Sequence, residues 1–324
     1  MSAGATTLRR PQPPAAQAVG GFCVCVPARD EVHRIGRLLE ALAAQDRPGG
    51  IPVVVALNNT TDGSRYVIDD AAARYRGRLD ILLDEHVFPE ELAHAGSARR
   101  RAMDLGYERL GGQGVLLATD ADARPPSNWI SANLKAIAAG ADIVGGALAL
   151  DDAEPAAASL LERWELLARY WETVRAIEDE VDPKDWDPAP RHGDHTGASL
   201  AVTAKAYRAC GGVPVVPIGE DVALVNAVVA GGGCLRHPAE VQIKVSPRLV
   251  GRAAGGMAEA MVALAGDPQR PRSLMAPSFE HWRARAAWRR ELRSRPDGNA
   301  TIARLEPALP PMPCDMALEA GPVR

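Results

Sequence analysis

Short apolar runs and stretches of helical spacing alternate along the first part of the chain. Phe22, Cys23, Val24, Cys25 and Val26 form a continuous apolar run, and residues 32–44 set Ile35, Leu38, Leu39 and Leu42 on one helical face. The pair repeats, with strands predicted at 53–57, 79–83 and 115–119 and helices at 66–75 and 97–110 between them. Apolar runs separated by helices predict an α/β fold with a mostly parallel sheet covered on both faces, whose ligand site lies beyond the carboxyl ends of the strands. Further helices are predicted at 159–180, 222–229 and 257–264. A last one, at 279–295, carries Trp282 and Ala286 among many arginines. Residues after Pro296 read as irregular. Residues 1–18 read as a disordered tail, since Pro11, Pro13 and Pro14 follow Arg9-Arg10 where an export signal would have its hydrophobic region.

Composition narrows the class. The 324 residues, 47% of them hydrophobic, suffice for one large core or two modest ones. A net charge of -4 and an isoelectric point near 6.0 argue against nucleic acid as a partner, which needs a concentrated basic surface. Cys23, Cys25, Cys210, Cys234 and Cys314 show no zinc-site spacing, and the first two alternate within an apolar run. They predict reduced core thiols in a cytoplasmic protein. No apolar stretch reaches the roughly 18–20 residues of a membrane-spanning helix.

Three predicted strand ends carry polar clusters: Pro27-Ala28-Arg29-Asp30-Glu31, then Asn58-Asn59-Thr60-Thr61-Asp62-Gly63-Ser64, then Asp120-Ala121-Asp122-Ala123-Arg124-Pro125. Singly, each has a plain structural explanation as a helix cap or a turn. Together they mark one sheet edge as a ligand site. In an extended segment Asp120 and Asp122 would project to the same side, roughly 6.5–7 Å apart. Two unpaired carboxylates there invite Mg2+ or Mn2+ shared with substrate phosphates.

In this order the residues resemble the inverting family 2 glycosyltransferases with the GT-A fold, a Rossmann-like nucleotide-sugar-binding sheet flanked by helices. The resemblance runs through residues 23–250. It implies that Pro27, Ala28, Arg29 and Glu31 form the nucleotide-binding turn, that Asn59 lies near the base with Asp62 in the same loop, and that Arg99 of Gly96-Ser97-Ala98-Arg99 approaches the donor diphosphate. Asp120 is then expected near the ribose or sugar and Asp122 on the divalent cation, with His237 a second ligand of that metal. His195, Thr196 and Gly197 resemble the acceptor side. Gly219-Glu220-Asp221 resembles the pair that carries the general base, Asp221, with Glu220 orienting the acceptor; acidic residues also suit a helix N-terminus, and both readings stand together. The implied reaction moves one sugar from a nucleotide-diphospho-sugar to an acceptor hydroxyl of a small molecule, glycan or lipid-linked compound. Asn58-Asn59 departs from the commoner double aspartate, so uridine and guanosine both stay open. The cations of 245–252, Arg248 and Arg252, either approach the diphosphate or cap a helix.

The expected division is a tail (1–18), a GT-A domain (19–254) with a nucleotide half (19–125) and an acceptor half (126–254), and a C-terminal helical extension with an irregular tail (255–324). Within the acceptor half, residues 181–195, rich in Pro and Asp and carrying Trp186, read either as a lid over the acceptor or as a loop whose tryptophan simply packs. The arginine-rich helix has two readings: it lies on an anionic membrane surface, or it packs on the catalytic domain with a solvated arginine face. Two other functions compete. A haloacid-dehalogenase-like phosphatase would use Asp120 as nucleophile but expects Thr or Val where Arg124 stands; a non-catalytic nucleotide-sugar binder would keep the site without the base.

Overall fold

The computed structural model of the protein describes residues 20–251, 255–266 and 273–319. The expected tail at 1–18 and Arg252 lie outside the described residues. The first part runs β1 (Phe22–Ala28), α1 (Ile35–Ala43), β2 (Ile51–Asn58), α2 (Ser64–Arg74), β3 (Leu79–His86), α3 (Ala95–Arg109) and β4 (Val115–Ala118). There follow α4 (Trp129–Ala138), β5 (Ile143–Gly145), β6 (Ala147–Leu150), α5 (Ala158–Val181), β7 (Leu200–Thr203), α6 (Ala204–Ala209), α7 (Glu220–Ala230), β8 (Leu235–Arg236) and β9 (Gln242–Val245). The C-terminal part holds α8 (Met257–Ala265), β10 (Leu274–Ala276), α9 (Phe279–Arg293), α10 (Gly298–Leu305) and β11 (Met316–Leu318).

The central sheet has the order β3-β2-β1-β4-β7-β5-β8. Its first four strands are parallel, as the alternation predicts, and β7 runs antiparallel to both β4 and β5. β1 shows why both faces must be covered. Val24 and Val26 pack with Leu38 and Leu39 of α1 and Trp129 of α4, while Cys23 and Cys25 pack on the other face with Ala102 and Met103 of α3. Each such Val or Leu, wholly buried, contributes about 1.5–3 kcal/mol. Gly106 lets α3 approach this closely, since a Cβ there would meet Cys25 Sγ at 2.6 Å. Pro27 sits in β1 beyond the last residue paired with β4, so its missing N–H removes no bond on that side.

Gly145 and Gly146 pass the chain from β5 in the main sheet to β6, which pairs with β9 in a second sheet. A Cβ on either would strike Asp194 O or Ser199 Oγ at 2.2 Å. The tail after Pro296 is not irregular throughout: Pro296-Asp297-Gly298 reads as a turn, yet α10 begins at its end with Ile302 facing inward. The helix α9 packs on α5, with Tyr170 stacked on Phe279 and Trp171 edge-on to Trp282. Its arginines face protein: Arg283 meets Glu180, Arg289 meets Glu178 and Glu306, and Arg293 meets Asp182. These bonds favour packing over a lipid surface as the reason for the arginine stripe. Among the described residues no helix is long and apolar enough to cross a membrane.

Candidate active site

The three polar clusters meet at the carboxyl ends of β1, β2 and β4. The first two are sewn together. Asp62 accepts from Val32 N at 3.0 Å and from Ser64 N at 2.8 Å, Ser64 Oγ accepts from Glu31 N at 2.8 Å, and Asp30 accepts from Thr61 N at 2.8 Å. Asn59 takes a left-handed conformation (φ 47), and its amide exchanges two 2.9 Å bonds with the backbone of Phe88. Asp62 and Asn59 thus set the shape of the loops around the site. Arg29 is exposed and donates to Ala93 O at 3.0 Å.

The third cluster is a turn, not an extended segment. Ala123 N donates to Asp120 O at 3.1 Å, and Ala121 and Ala123 are buried. The β1–β4 and β4–β7 ladders both end at Ala118, so the chain turns as soon as it leaves them. Nor are the carboxylates unpaired. Asp120 accepts from Arg99 at 2.8 Å, and Asp122 lies 2.9 Å from Arg248, which also reaches Glu31 at 2.8 Å. Burial pushes the Asp122 carboxyl up to about 6; Arg248 pulls it down, and the like charges of Asp120 and Glu31 add to the rise. Asp122 and Glu31 flank the Arg248 guanidinium while Asp120 is held by Arg99, and their oxygens are of the hard type that Mg2+ or Mn2+ takes. Among the described residues no group of three or more His, Cys, Asp or Glu forms a metal cage by itself.

Arg99 is buried at 3% exposure and joins the two halves of the site. Besides Asp120 it donates to Glu220 at 3.0 Å and to Gly197 O at 2.9 Å. Gly197 is glycine because a Cβ would stand 2.2 Å from that guanidinium. Its N–H donates to Asp221 at 2.6 Å, and Val222 N donates to the other Asp221 oxygen at 2.8 Å. Asp221 therefore sits in the first turn of α7, which Gly219 enters at φ 75. Beside Gly197, the buried Thr196 hydroxyl has no partner among the described residues.

His237 does not share a partner with Asp122. Its Nδ1 lies 2.8 Å from Asp187, and its Nε2 lies 3.1 Å from Nδ1 of His195. Burial, with His237 and Arg175 nearby, pushes His195 down to about 4, so the ring is neutral at pH 7. Asp187 and the Arg191–Glu178 pair fasten the 181–195 loop to the segment after β8 and to α5, and Trp186 lies 5.2 Å from the Arg293 guanidinium. This fastening is not legible in the loop's own sequence, since its partners lie on α5, α9 and the segment after β8.

The sequence model of the family described as glycosyl transferase family 2 matches residues 23–185. The chain belongs to glycosyl transferase family 2. This membership agrees with the central sheet and with the three clusters at its edge, and it leaves the phosphatase alternative without support. Two solved structures share the GT-A fold. The mannosyltransferase PcManGT from Pyrobaculum calidifontis, in complex with GDP-Man and Mn2+, is 15% identical with a TM-score of 0.51, covering 93% of this chain and 72% of its own. S. aureus TarS 1-349, in complex with UDP-GlcNAc, is 16% identical with a TM-score of 0.50, covering 72% of this chain. The chain spans 60% of the length of that TarS chain. No curated protein sequence matches it.

Proposed function

We propose that this glycosyltransferase moves a single sugar from a nucleotide-diphospho-sugar to an acceptor hydroxyl with inversion at the anomeric carbon. The observation that carries this reading is the Arg99 guanidinium, which ties Asp120 on the donor side to Gly197, the residue that holds Asp221. The half built on β1–β4 takes the donor, and the half from α4 to β9 takes the acceptor. Asp221 accepts the acceptor proton while that oxygen bonds to the anomeric carbon and the bonding pair to the nucleotide leaves with the diphosphate. The backbone N–H groups of Gly197 and Val222 fix the orientation of that carboxylate. Arg99 acts by position, holding Asp120 and Glu220 in register. Arg248, now paired with Asp122 and Glu31, would be free to pair with the diphosphate if a cation took its place beside Asp122. Asp122, with Glu31 and Asp120 beside it, would hold Mg2+ or Mn2+, which when bound neutralises the departing diphosphate.

The PcManGT complex with GDP-Man and Mn2+ supports a nucleotide sugar and a divalent cation as ligands. A thermal-shift panel of UDP-, GDP- and dTDP-sugars with and without Mn2+ tests the reading. One nucleotide is expected to stabilise the protein more in the presence of Mn2+. Absence of stabilisation by all of them would sink it.

A further inference from the structure

Between the 182–199 loop, α7, α9 and α10 lies a cavity of about 400 Å³. Small-molecule sites occupy roughly 300–1,000 Å³. The cavity adjoins the proposed base: its wall includes Val222, next in the chain to Asp221, and His195. Five cations line it, namely Arg175, Lys184, Arg191, Arg289 and Arg293. Most are paired. Glu178 alone meets Arg175 at 2.8 Å, Arg191 at 3.2 Å and Arg289 at 2.6 Å, while Asp179 takes Arg191, Glu306 takes Arg289 and Asp182 takes Arg293.

Two donors are left over. Among the described residues the Lys184 ammonium has no carboxylate within ion-pairing distance and no hydrogen-bond acceptor, and the buried Nε of Arg175 has no partner. Burial pushes Lys184 down to about 8, with Arg191, Arg289 and Arg293 adding to the effect although Glu178 opposes it. Burial holds Arg175 below its ordinary value as well; Glu178 opposes this, and Arg191 and Arg289 reinforce it. A partly buried cation without a counter-charge is costly, and unpaired N–H donors in a positive field are complementary to an oxyanion. Trp186 on the same wall supplies an apolar face for the carbon skeleton that would carry the anion.

We propose that this cavity binds an oxyanion of the acceptor, a phosphate or carboxylate, through Lys184 and Arg175, and so turns the acceptor hydroxyl toward Asp221. The proposal rests on the glycosyl-transfer reading given above and narrows its acceptor to an anionic class.

The test is calorimetric titration of inorganic phosphate and of sn-glycerol 3-phosphate, with glycerol as the neutral control, into the wild-type protein and Lys184→Gln. Binding of UDP and GDP with Mn2+ is measured in parallel on both. Both phosphates are expected to bind the wild type and glycerol is not, and Lys184→Gln is expected to weaken phosphate by about tenfold while leaving nucleotide unchanged. Equal phosphate affinity in the two proteins, or none in the wild type, overturns the proposal. Nucleotide binding without phosphate binding would overturn the acceptor class alone; the reverse would overturn the donor reading and leave the cavity's assignment standing. Vesicles of phosphatidylcholine with and without phosphatidic acid separate the two sources of the same chemistry. With the soluble phosphates bound, capture by phosphatidic acid vesicles and not by phosphatidylcholine alone assigns a lipid-borne phosphate, and no capture by either assigns a soluble acceptor.

Discussion

The guanidinium of Arg248 lies 2.9 Å from Asp122 and 2.8 Å from Glu31, so a cation from the chain stands among the carboxylates offered to a metal. With Asp122 at about 6 against an ordinary 3.8, the folded protein keeps a proton there that the unfolded chain has already lost. That contribution favours the fold at low pH and is lost as pH rises through about 6. Arg248 opposes the loss by pairing with the ionised form. Arg248→Ala is therefore expected to destabilise by about 2 kcal/mol near pH 8, after allowance for the solvent that reaches the pair, and by less near pH 5. Thermal melts at both pH values check the sign, and added Mn2+ should recover part of the loss near pH 8.

Asp221→Asn keeps the hydrogen-bond acceptor for Gly197 N and removes the base. Sugar transfer is expected to fall by about 10²–10⁴-fold, with stabilisation by nucleotide and Mn2+ retained. Product formation followed by chromatography measures the first, and thermal shift the second. Undiminished transfer would remove Asp221 from the proton step.

Gly197→Ala should be more damaging than its size suggests. The new Cβ would overlap Arg99, which is bonded on three sides, so the guanidinium must leave at least one partner. A buried ion pair broken in this way costs about 3–5 kcal/mol. A small loss of melting temperature with full activity would show that the hub can shift without consequence.

The unpaired Lys184 predicts a gain from its removal. Its folded value, about 8, lies below the 10.5 of the unfolded chain, so at neutral pH the unfolded state holds the proton more tightly and Lys184 costs stability. The cost fades as pH rises through 8 toward 10.5. Lys184→Met is expected to raise the melting temperature by about 2–4 °C at pH 7, and the gain should vanish near the alkaline end of that window. A gain that persisted there would trace to apolar packing and not to charge.

The alternation from β1 to β4 was legible because each buried strand is a short apolar run and each helix has a four-residue face such as Ile35, Leu38, Leu39 and Leu42. The sheet-edge clusters were legible for the same reason, since polar residues that follow such runs have few other places to go. Less could be read where partners are distant in the chain. Nothing local announces that β7 inserts antiparallel between β4 and β5, and the turn at Asp120 depends on where both neighbouring ladders end. Asn59 shows the limit of position as a guide: it stands where the resemblance expects a contact to the base, and its amide is occupied by Phe88. Arg99 was found by motif, but its burial and its three partners on different elements were not accessible from spacing. Lys184 carried no signal at all within a loop rich in Asp and Pro.

Glu178 is shared by arginines from α5, the 182–199 loop and α9, and Glu306, the residue after α10, stands behind them. One wall of the cavity is thus contributed by a segment that, among the described residues, makes no hydrogen bond or ion pair to Asp122, Glu31 or Arg248. Replacing residues 279–307 by another helical pair would change the room offered to the acceptor while the donor loops kept every bond described for them. If the proposed assignments hold, donor choice and this wall of the acceptor cavity are inherited on separate stretches of chain, and the wall can be exchanged without rebuilding the donor loops.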